Sequence, residues 1–293
     1  MKKSIVCSHG ETLHYIEQGT QEKSPLILVH GNMSSSLHYL PILDQLAQEH
    51  HVFALDLRGF GDSTYETPIT SLKDFADDVF FFMDALNIPK ASLVGWSTGG
   101  GIVLEFAVKY APMVEKLVLL ESASVMGYPI FRKDANMQPI LTEIYSSKEE
   151  MATDIMQVAS AVEAMKHQNV DYMKAVWEAA IYNVKVPEEK ELMTNLKESL
   201  KQRNLVDVDW ALMTFNMSDT HNGVVPGENT AKDVQVPLLN IWGEKDLVIP
   251  KVMFDQNVTY LKTAKHIILP EGSHSPITDD PNTLAMTILS FTA

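Results

Sequence analysis

Short runs that are apolar at consecutive positions punctuate this chain: Leu26-Ile27-Leu28-Val29, Val52-Phe53-Ala54-Leu55, Ser92-Leu93-Val94, Leu117-Val118-Leu119-Leu120, Leu238-Leu239-Asn240-Ile241-Trp242 and His266-Ile267-Ile268-Leu269. Successive side chains of a strand point to opposite faces, so such a run needs cover on both sides. A parallel sheet with helices on each face provides that cover. Residues 12–17 alternate instead, as a half-buried strand does. Each long run ends at a glycine, a proline or a polar residue: His30-Gly31, Asp56, Gly95, Glu121, Gly243, Pro270. Helical spacing fills the gaps. Ser71 suits an N-cap, Asp74 the first turn, and Leu72, Phe75, Val79, Phe82 and Leu86 share one face. Thr98–Tyr110 and roughly 250–260 read as helices too, with Pro250 in the first turn of the latter. Strands alternating with helices specify an α/β fold with right-handed crossovers.

The alternation stops between residues 127 and 230, where no convincing strand is found. Residues 148–166, 170–183 and 188–203 carry helical spacing. The organisation expected is a core of residues 1–126 and 231–293 with a helical cap, 127–230, inserted into it.

Charge excludes some functions. The chain of 293 residues carries 23 basic and 38 acidic side chains, a formal net charge of −15. The excess is spread over core and insertion alike. A field of that sign repels phosphate backbones, so nucleic acid is not an expected partner. The single cysteine, Cys7, permits no intrachain disulfide and no cysteine-based metal site. The apolar run after Met1-Lys2-Lys3 is only Ile5-Val6-Cys7, too short for a secretory signal, and no run approaches a membrane span. A cytoplasmic location without membrane insertion is therefore expected. Nothing in the sequence sets the oligomeric state.

The densest chemical signal is Gly95-Trp96-Ser97-Thr98-Gly99-Gly100, a G-x-S-x-G pattern between a strand run and a helix. A sharp strand-to-helix turn would lift the Ser97 hydroxyl above the sheet, and side chains at 95 and 99 would collide with neighbouring backbone. A serine hydroxyl is a weak nucleophile and needs a base, itself oriented by an acid. Among ten histidines, His274 follows the last apolar run, in Glu271-Gly272-Ser273-His274-Ser275-Pro276. His50, His51 and His167 read as solvated helix or loop residues, and His14 as part of a strand. Asp246, in Gly243-Glu244-Lys245-Asp246, is the preferred acid; Glu121 and Glu244 compete with it. An oxyanion hole needs two convergent N–H groups. Thr98 and Asn32, the latter after His30-Gly31, are the candidates, and Trp96 and Met33 the candidate substrate contacts. In Asp56-Leu57-Arg58-Gly59-Phe60-Gly61-Asp62-Ser63, Arg58 and the two aspartates are expected to brace the loop.

These motifs together resemble those of the α/β-hydrolase superfamily, in the branch with a helical cap between strands six and seven. The likeness rests on His30-Gly31, Asp56-x-Arg58-Gly-x-Gly-x-Ser63, Gly95-x-Ser97-x-Gly99-Gly100, Gly243-x-x-Asp246-x-x-x-Pro250 and Gly272-x-His274, and spans nearly the whole core. It implies an α/β-hydrolase fold: a mostly parallel eight-stranded sheet flanked by helices. It also implies a serine hydrolase with the chain order Ser…Asp…His. The Gly95-Trp96-Ser97 stretch is similar to that of the intracellular polyhydroxybutyrate depolymerases of bacilli. Serine at 97 argues against dehalogenases and epoxide hydrolases, which use aspartate there. Substrate is poorly specified.

Nine of the 15 methionines fall between 126 and 217, with Trp177, Trp210 and four tyrosines. Methionine fills irregular space and repacks around varied ligands. Either the layer simply packs on the core, or it forms an adaptable apolar lid over Ser97. The expected activity is cleavage of a small-molecule carboxylic ester, apolar on its acyl side, without cofactor or metal. A C–C bond hydrolase or acyltransferase on the same residues is the first alternative, and a non-catalytic ligand sensor the second.

Overall fold

The computed structural model describes residues 2–293. Its main sheet has eight strands in the order β1-β2-β4-β3-β5-β6-β9-β10. These are β1 (Lys2–Val6), β2 (Thr12–Gln18), β3 (Ser24–Val29), β4 (His50–Leu55), β5 (Ala91–Trp96), β6 (Val114–Leu120), β9 (Leu238–Gly243) and β10 (Lys265–Leu269). β2 pairs antiparallel with β1 and β4, and every other pairing is parallel. Helices α1 (Leu40–Leu46), α2 (Leu72–Ala85), α3 (Thr98–Lys109), α9 (Lys251–Tyr260), α10 (Pro276–Asp279) and α11 (Pro281–Thr292) belong to this core.

The run of consecutive apolar residues in β3 explains the layering. Ile27 and Val29 pack with Phe75, Val79, Ile102 and Phe106 of α2 and α3. Leu26 and Leu28 pack on the other face with Ile42 and Leu46 of α1 and Ile288 of α11. One strand thus feeds two separate hydrophobic layers, as its period of two demands. The start of α2 follows its local code: the Asp74 carboxylate accepts the Ser71 N–H at 3.0 Å.

Between β6 and β9 the chain forms β7 (Phe131–Lys133), β8 (Pro139–Ile144), α4 (Lys148–Met151), α5 (Ala159–Lys166), α6 (Val170–Ala180), α7 (Glu189–Ser199) and α8 (Leu205–Thr214). The small antiparallel sheet β7-β8 corrects the expectation that residues 127–230 hold no strand. It is short, largely exposed and contains Pro139, so it lacks the apolar run that marks the main strands. The helix expected over 148–166 is two helices. Asp154 accepts the N–H groups of Met156 and Gln157 at 3.0 and 2.8 Å, a side-chain turn that replaces the helical ladder.

Three further features go beyond the sequence pattern. Residues 2–6 form the antiparallel edge strand β1, which has no continuous apolar signature because it is half solvated. His50 and His51 are not solvated; they lie buried in β4, bonded to Thr292 Oγ1 at 2.8 Å and Glu17 Oε1 at 2.9 Å. The loop after β4 is braced as expected but through other partners: the Asp56 carboxylate accepts the Asp62 N–H at 3.1 Å, Arg58 Nη1 donates to the Thr67 carbonyl at 3.0 Å, and the guanidinium takes the Asp78 carboxylate of α2 in a two-point contact at 2.9 and 2.6 Å. Asp56 and Asp62 also share the Lys2 ammonium, each at 2.9 Å.

Glu105 sits in the buried stretch of α3, and burial pushes its carboxyl up from 4.5 to about 7, the Lys73 charge only partly opposing this. The folded state therefore holds a proton that the unfolded chain gives up. Stability is fully present below pH 4.5 and is lost as pH rises to about 7. At 1.36 kcal/mol per unit the full loss is on the order of 3 kcal/mol. Glu105→Gln should therefore melt several degrees above wild type at pH 8 and little above it at pH 4.5. Thermal denaturation across that range checks this; a pH-independent offset would refute it.

Candidate active site

Ser97 occupies the single residue between β5 and α3, with φ 56° and ψ −119°. A non-glycine residue there costs about 1–3 kcal/mol and persists only if its surroundings over-determine it. They do. The Ser97 N–H donates to the Leu120 carbonyl at 2.9 Å, and the Ser97 carbonyl accepts from Gly100 and Ala123 at 3.0 and 3.1 Å. A Cβ at position 95 would lie 2.3 Å from the Gly99 carbonyl oxygen, and one at 99 would lie 2.1 Å from that of Val29. Both glycines are therefore steric requirements of the turn. The loop after β3 passes as closely: a Cβ at Gly31 would lie 2.6 Å from Ser97 Cβ.

Ser97, Thr98, Asn32, Met33 and His274 line one cavity of about 340 Å³. Most of the remaining lining is apolar and comes from the segment between β6 and β9, including Ile130, Ala161, Val176, Trp177 and Leu212. No lysine or arginine lines it among the described residues. The Met33 N–H is engaged by Gln202 Oε1 at 2.8 Å. The N–H groups of Asn32 and Thr98 have no protein acceptor among the described residues.

His274 follows β10 and is buried. Its Nδ1 meets Asp246 Oδ2 at 2.8 Å, which leaves Nε2 as the nitrogen free to act. The Asp246 Oδ1 accepts the Val248 and Ile249 N–H groups at 2.6 and 2.8 Å. Burial would raise this carboxyl, but the His274 imidazole and these hydrogen bonds hold it below the ordinary aspartate value. Asp246 is thus an ionised partner for an imidazole.

The two competing acids occupy different places. Glu244 is exposed. Glu121 is fully buried at φ 44°, its Oε2 accepting the Gly243 N–H at 2.9 Å; its Oε1 has no hydrogen-bond partner among the described residues, and the charge that acts on it is that of Asp246. Two buried carboxylates that act on one another resist ionising together. Burial and the Asp246 charge raise Glu121 well above its ordinary value, so Glu121 is the protonated member. Sequence reasoning weighed Glu121 only as a replacement for Asp246; its position immediately after β6, one strand from β9, was the signal that the two could touch.

Trp96 departs from the expectation of a substrate contact. It is 2% exposed, lies outside the cavity lining, and its indole N–H donates to the His274 carbonyl at 2.8 Å. Position 96 is the last of β5, and the alternation that turns Ser97 upward turns Trp96 beneath the histidine loop. Two residues that sequence reasoning missed are Gln202 and Asp209. Gln202 donates to Asn32 Oδ1 at 2.7 Å, and Asp209 accepts from Asn32 Nδ2 at 2.8 Å. Gln202 lies in the connection between α7 and α8 and Asp209 within α8, far along the chain from Asn32, where no local motif marks them.

The comparisons agree with this architecture. A 27% identical relative over 278 residues is the dihydrolipoyllysine-residue acetyltransferase component of the acetoin cleaving system of Pseudomonas putida; the match covers 90% of this chain and 62% of that protein. An Acinetobacter baylyi protein, (E)-2-((N-methylformamido)methylene)succinate hydrolase, is 31% identical over 41% of this chain and 45% of its own. Among solved structures, an esterase from Exiguobacterium antarcticum superposes with a TM-score of 0.76 at 18% identity, covering 100% of this chain and 99% of that one. The family model described as alpha/beta hydrolase fold matches residues 24–281, and the chain belongs to that family.

Proposed function

We propose that this chain is a serine hydrolase of carboxylic esters, with Ser97, His274 and Asp246 as its catalytic residues. The observation that carries the reading is the meeting of a strained Ser97 and a buried His274 in one cavity, the imidazole held from behind by an ionised carboxylate at 2.8 Å. In this mechanism the Ser97 Oγ attacks the ester carbonyl and His274 Nε2 takes its proton. Asp246 fixes the tautomer and stabilises the imidazolium. The free N–H groups of Asn32 and Thr98 receive the oxyanion. His274 then protonates the departing alcohol, and afterwards activates the water that clears the acyl-enzyme. No cofactor takes part in these steps.

Residues 127–230 act in this reading as a cap whose apolar lining selects an apolar substrate, with Met33 as a core-side contact. The lining also bears on the alternatives. A carboxylate-bearing substrate, such as a succinate, needs a cation to offset its desolvation. The absence of lysine and arginine from the cavity among the described residues favours a neutral ester over a vinylogous diketo acid. Acyl transfer would use the same acyl-enzyme with another acceptor, and a ligand sensor would share the cavity without turnover. No helix among the described residues is long and apolar enough to cross a membrane. The free thiol of Cys7 suits a reducing compartment, and we place the enzyme in the cytoplasm.

Ser97→Ala should abolish hydrolysis of p-nitrophenyl esters with the fold intact by circular dichroism. Losing the nucleophile of such a site costs about 10⁶ in kcat. A fluorophosphonate should label wild type and not the variant. Residual turnover above a hundredth of wild type overturns the assignment, and a folded wild type that neither turns over nor labels favours the sensor.

Gln202 ties Asn32 and Met33 to the cap. Gln202→Ala should lower kcat about tenfold or more with a smaller change in KM, since a misaimed oxyanion donor costs mainly in the transition state. Steady-state kinetics on a short acyl ester reads this; a pure KM effect would show that the contact serves binding alone.

A further inference from the structure

Asp209 of α8 is the one carboxyl among the residues that line this mostly apolar cavity, and no step above uses it. Its residue is 8% exposed and lines the cavity beside Asn32. Its Oδ1 accepts the Asn32 side-chain N–H at 2.8 Å, and no protein group among the described residues bonds its second oxygen. The titratable groups that act on it or feel it are Asp154 and Tyr128, both acidic, and His274 lines the same cavity. No lysine or arginine lines the cavity among the described residues.

A buried carboxyl with one hydrogen bond and no cation has two ways to exist: it keeps its proton, or a ligand brings a positive charge. Burial raises Asp209 to about 8, the Asn32 hydrogen bond only partly opposing it, so at neutral pH it is mainly the neutral acid. A neutral carboxyl has one O–H to donate and a carbonyl oxygen that accepts. Here Asn32 already fills an acceptor site, which leaves the O–H without a protein partner among the described residues. This oxygen faces the cavity, so a substrate that covers it without supplying an acceptor oxygen incurs about 1–3 kcal/mol, and one that supplies it does not.

We propose that Asp209 forms a hydrogen-bonding subsite for a second oxygen of the substrate, a hydroxyl or carbonyl close to the scissile ester. The subsite is one Asn32 side chain away from the Asn32 backbone N–H, so the second oxygen belongs near the reacting carbonyl and not at the end of a long chain. The inference rests on the ester-hydrolase reading and names its substrate class: hydroxy or oxo esters over plain alkyl esters of equal size, and over esters bearing a carboxylate. A site that donates to a substrate oxygen discriminates strongly against the analogue that lacks it, because the donor is then left unpaired.

The test compares kcat/KM for ethyl pentanoate with ethyl pentanoates bearing a hydroxyl at carbon 2, 3 or 4, and for butyl acetate with hydroxybutyl acetates. The ethyl ester of 4-aminopentanoic acid serves as the cationic control. Wild type at pH 7 should prefer at least one hydroxy ester by tenfold or more. Asp209→Leu should bring that ratio near one. Asp209→Asn presents an amide N–H in the same place and should retain most of the ratio. Equal losses for plain and hydroxy esters in Asp209→Leu, leaving the ratio unchanged, would show that Asp209 only positions Asn32 and would overturn the proposal. Preference for the amino ester, or collapse of the ratio in Asp209→Asn, would overturn it in favour of an ionised cation site. Should Asp209→Leu fail to fold, the wild-type ratios and Asp209→Asn still decide. Wild type lacking turnover and fluorophosphonate labelling altogether would instead indict the ester-hydrolase reading.

Discussion

Backbone crowding around residue 97 constrains everything else in the site. The first turn of α3 lies so close to the end of β3 that a Cβ at Gly99 would overlap the Val29 carbonyl. That contact leaves no freedom in how α3 leaves the sheet. Ser97 must then make the whole strand-to-helix turn alone, at φ 56°. The hydrogen bonds of Ser97 with Leu120, Gly100 and Ala123 hold the strain in place, so it is distributed over β6, the loop that follows it and α3. The hydroxyl is presented where the β3 loop, the β9 loop and the β10 loop all converge, because the carboxyl ends of parallel strands lie on one edge.

The acids behind the proposed base form a graded series. Glu121 holds its proton, Asp246 has lost its own, and His274 faces the cavity. Low dielectric surroundings disfavour two adjacent negative charges, and the His274 imidazole, aided by the N–H groups at Asp246 Oδ1, leaves the charge on Asp246. Trp96 adds mechanical support from below by holding the His274 carbonyl. The imidazole is thereby fixed by its ring and by its backbone, which suits a group that must return to one geometry in each step of the proposed cycle.

The inserted segment is joined to the β3 loop by polar contacts. Gln202 and Asp209 grip Asn32 from two sides, while Trp177 stacks on His38 at 5.1 Å between ring centres. In the proposed mechanism these contacts bind the shape of the oxyanion donors to the position of the cap. A change of cap sequence could then alter substrate choice and catalytic geometry together.

Runs such as Leu26–Val29 determined the fold class by themselves, since only a two-sided sheet buries every residue of a continuous apolar strand. The glycines around Ser97 were equally legible, because close backbone approach tolerates no side chain. Elements without that local compulsion were not: the half-solvated edge strand β1 and the β7-β8 hairpin carry no continuous apolar run, and the buried histidines of β4 take their state from Thr292 and Glu17, distant in sequence. Tertiary structure alone decided that Arg58 pairs with Asp78, that Trp96 supports the histidine loop, that Glu121 keeps the proton Asp246 has lost, and that Asp209 faces the cavity. The division has one cause. Backbone sterics and side-chain periodicity act between near neighbours in the chain, whereas hydrogen-bond partners and buried charge depend on which segments fold against one another.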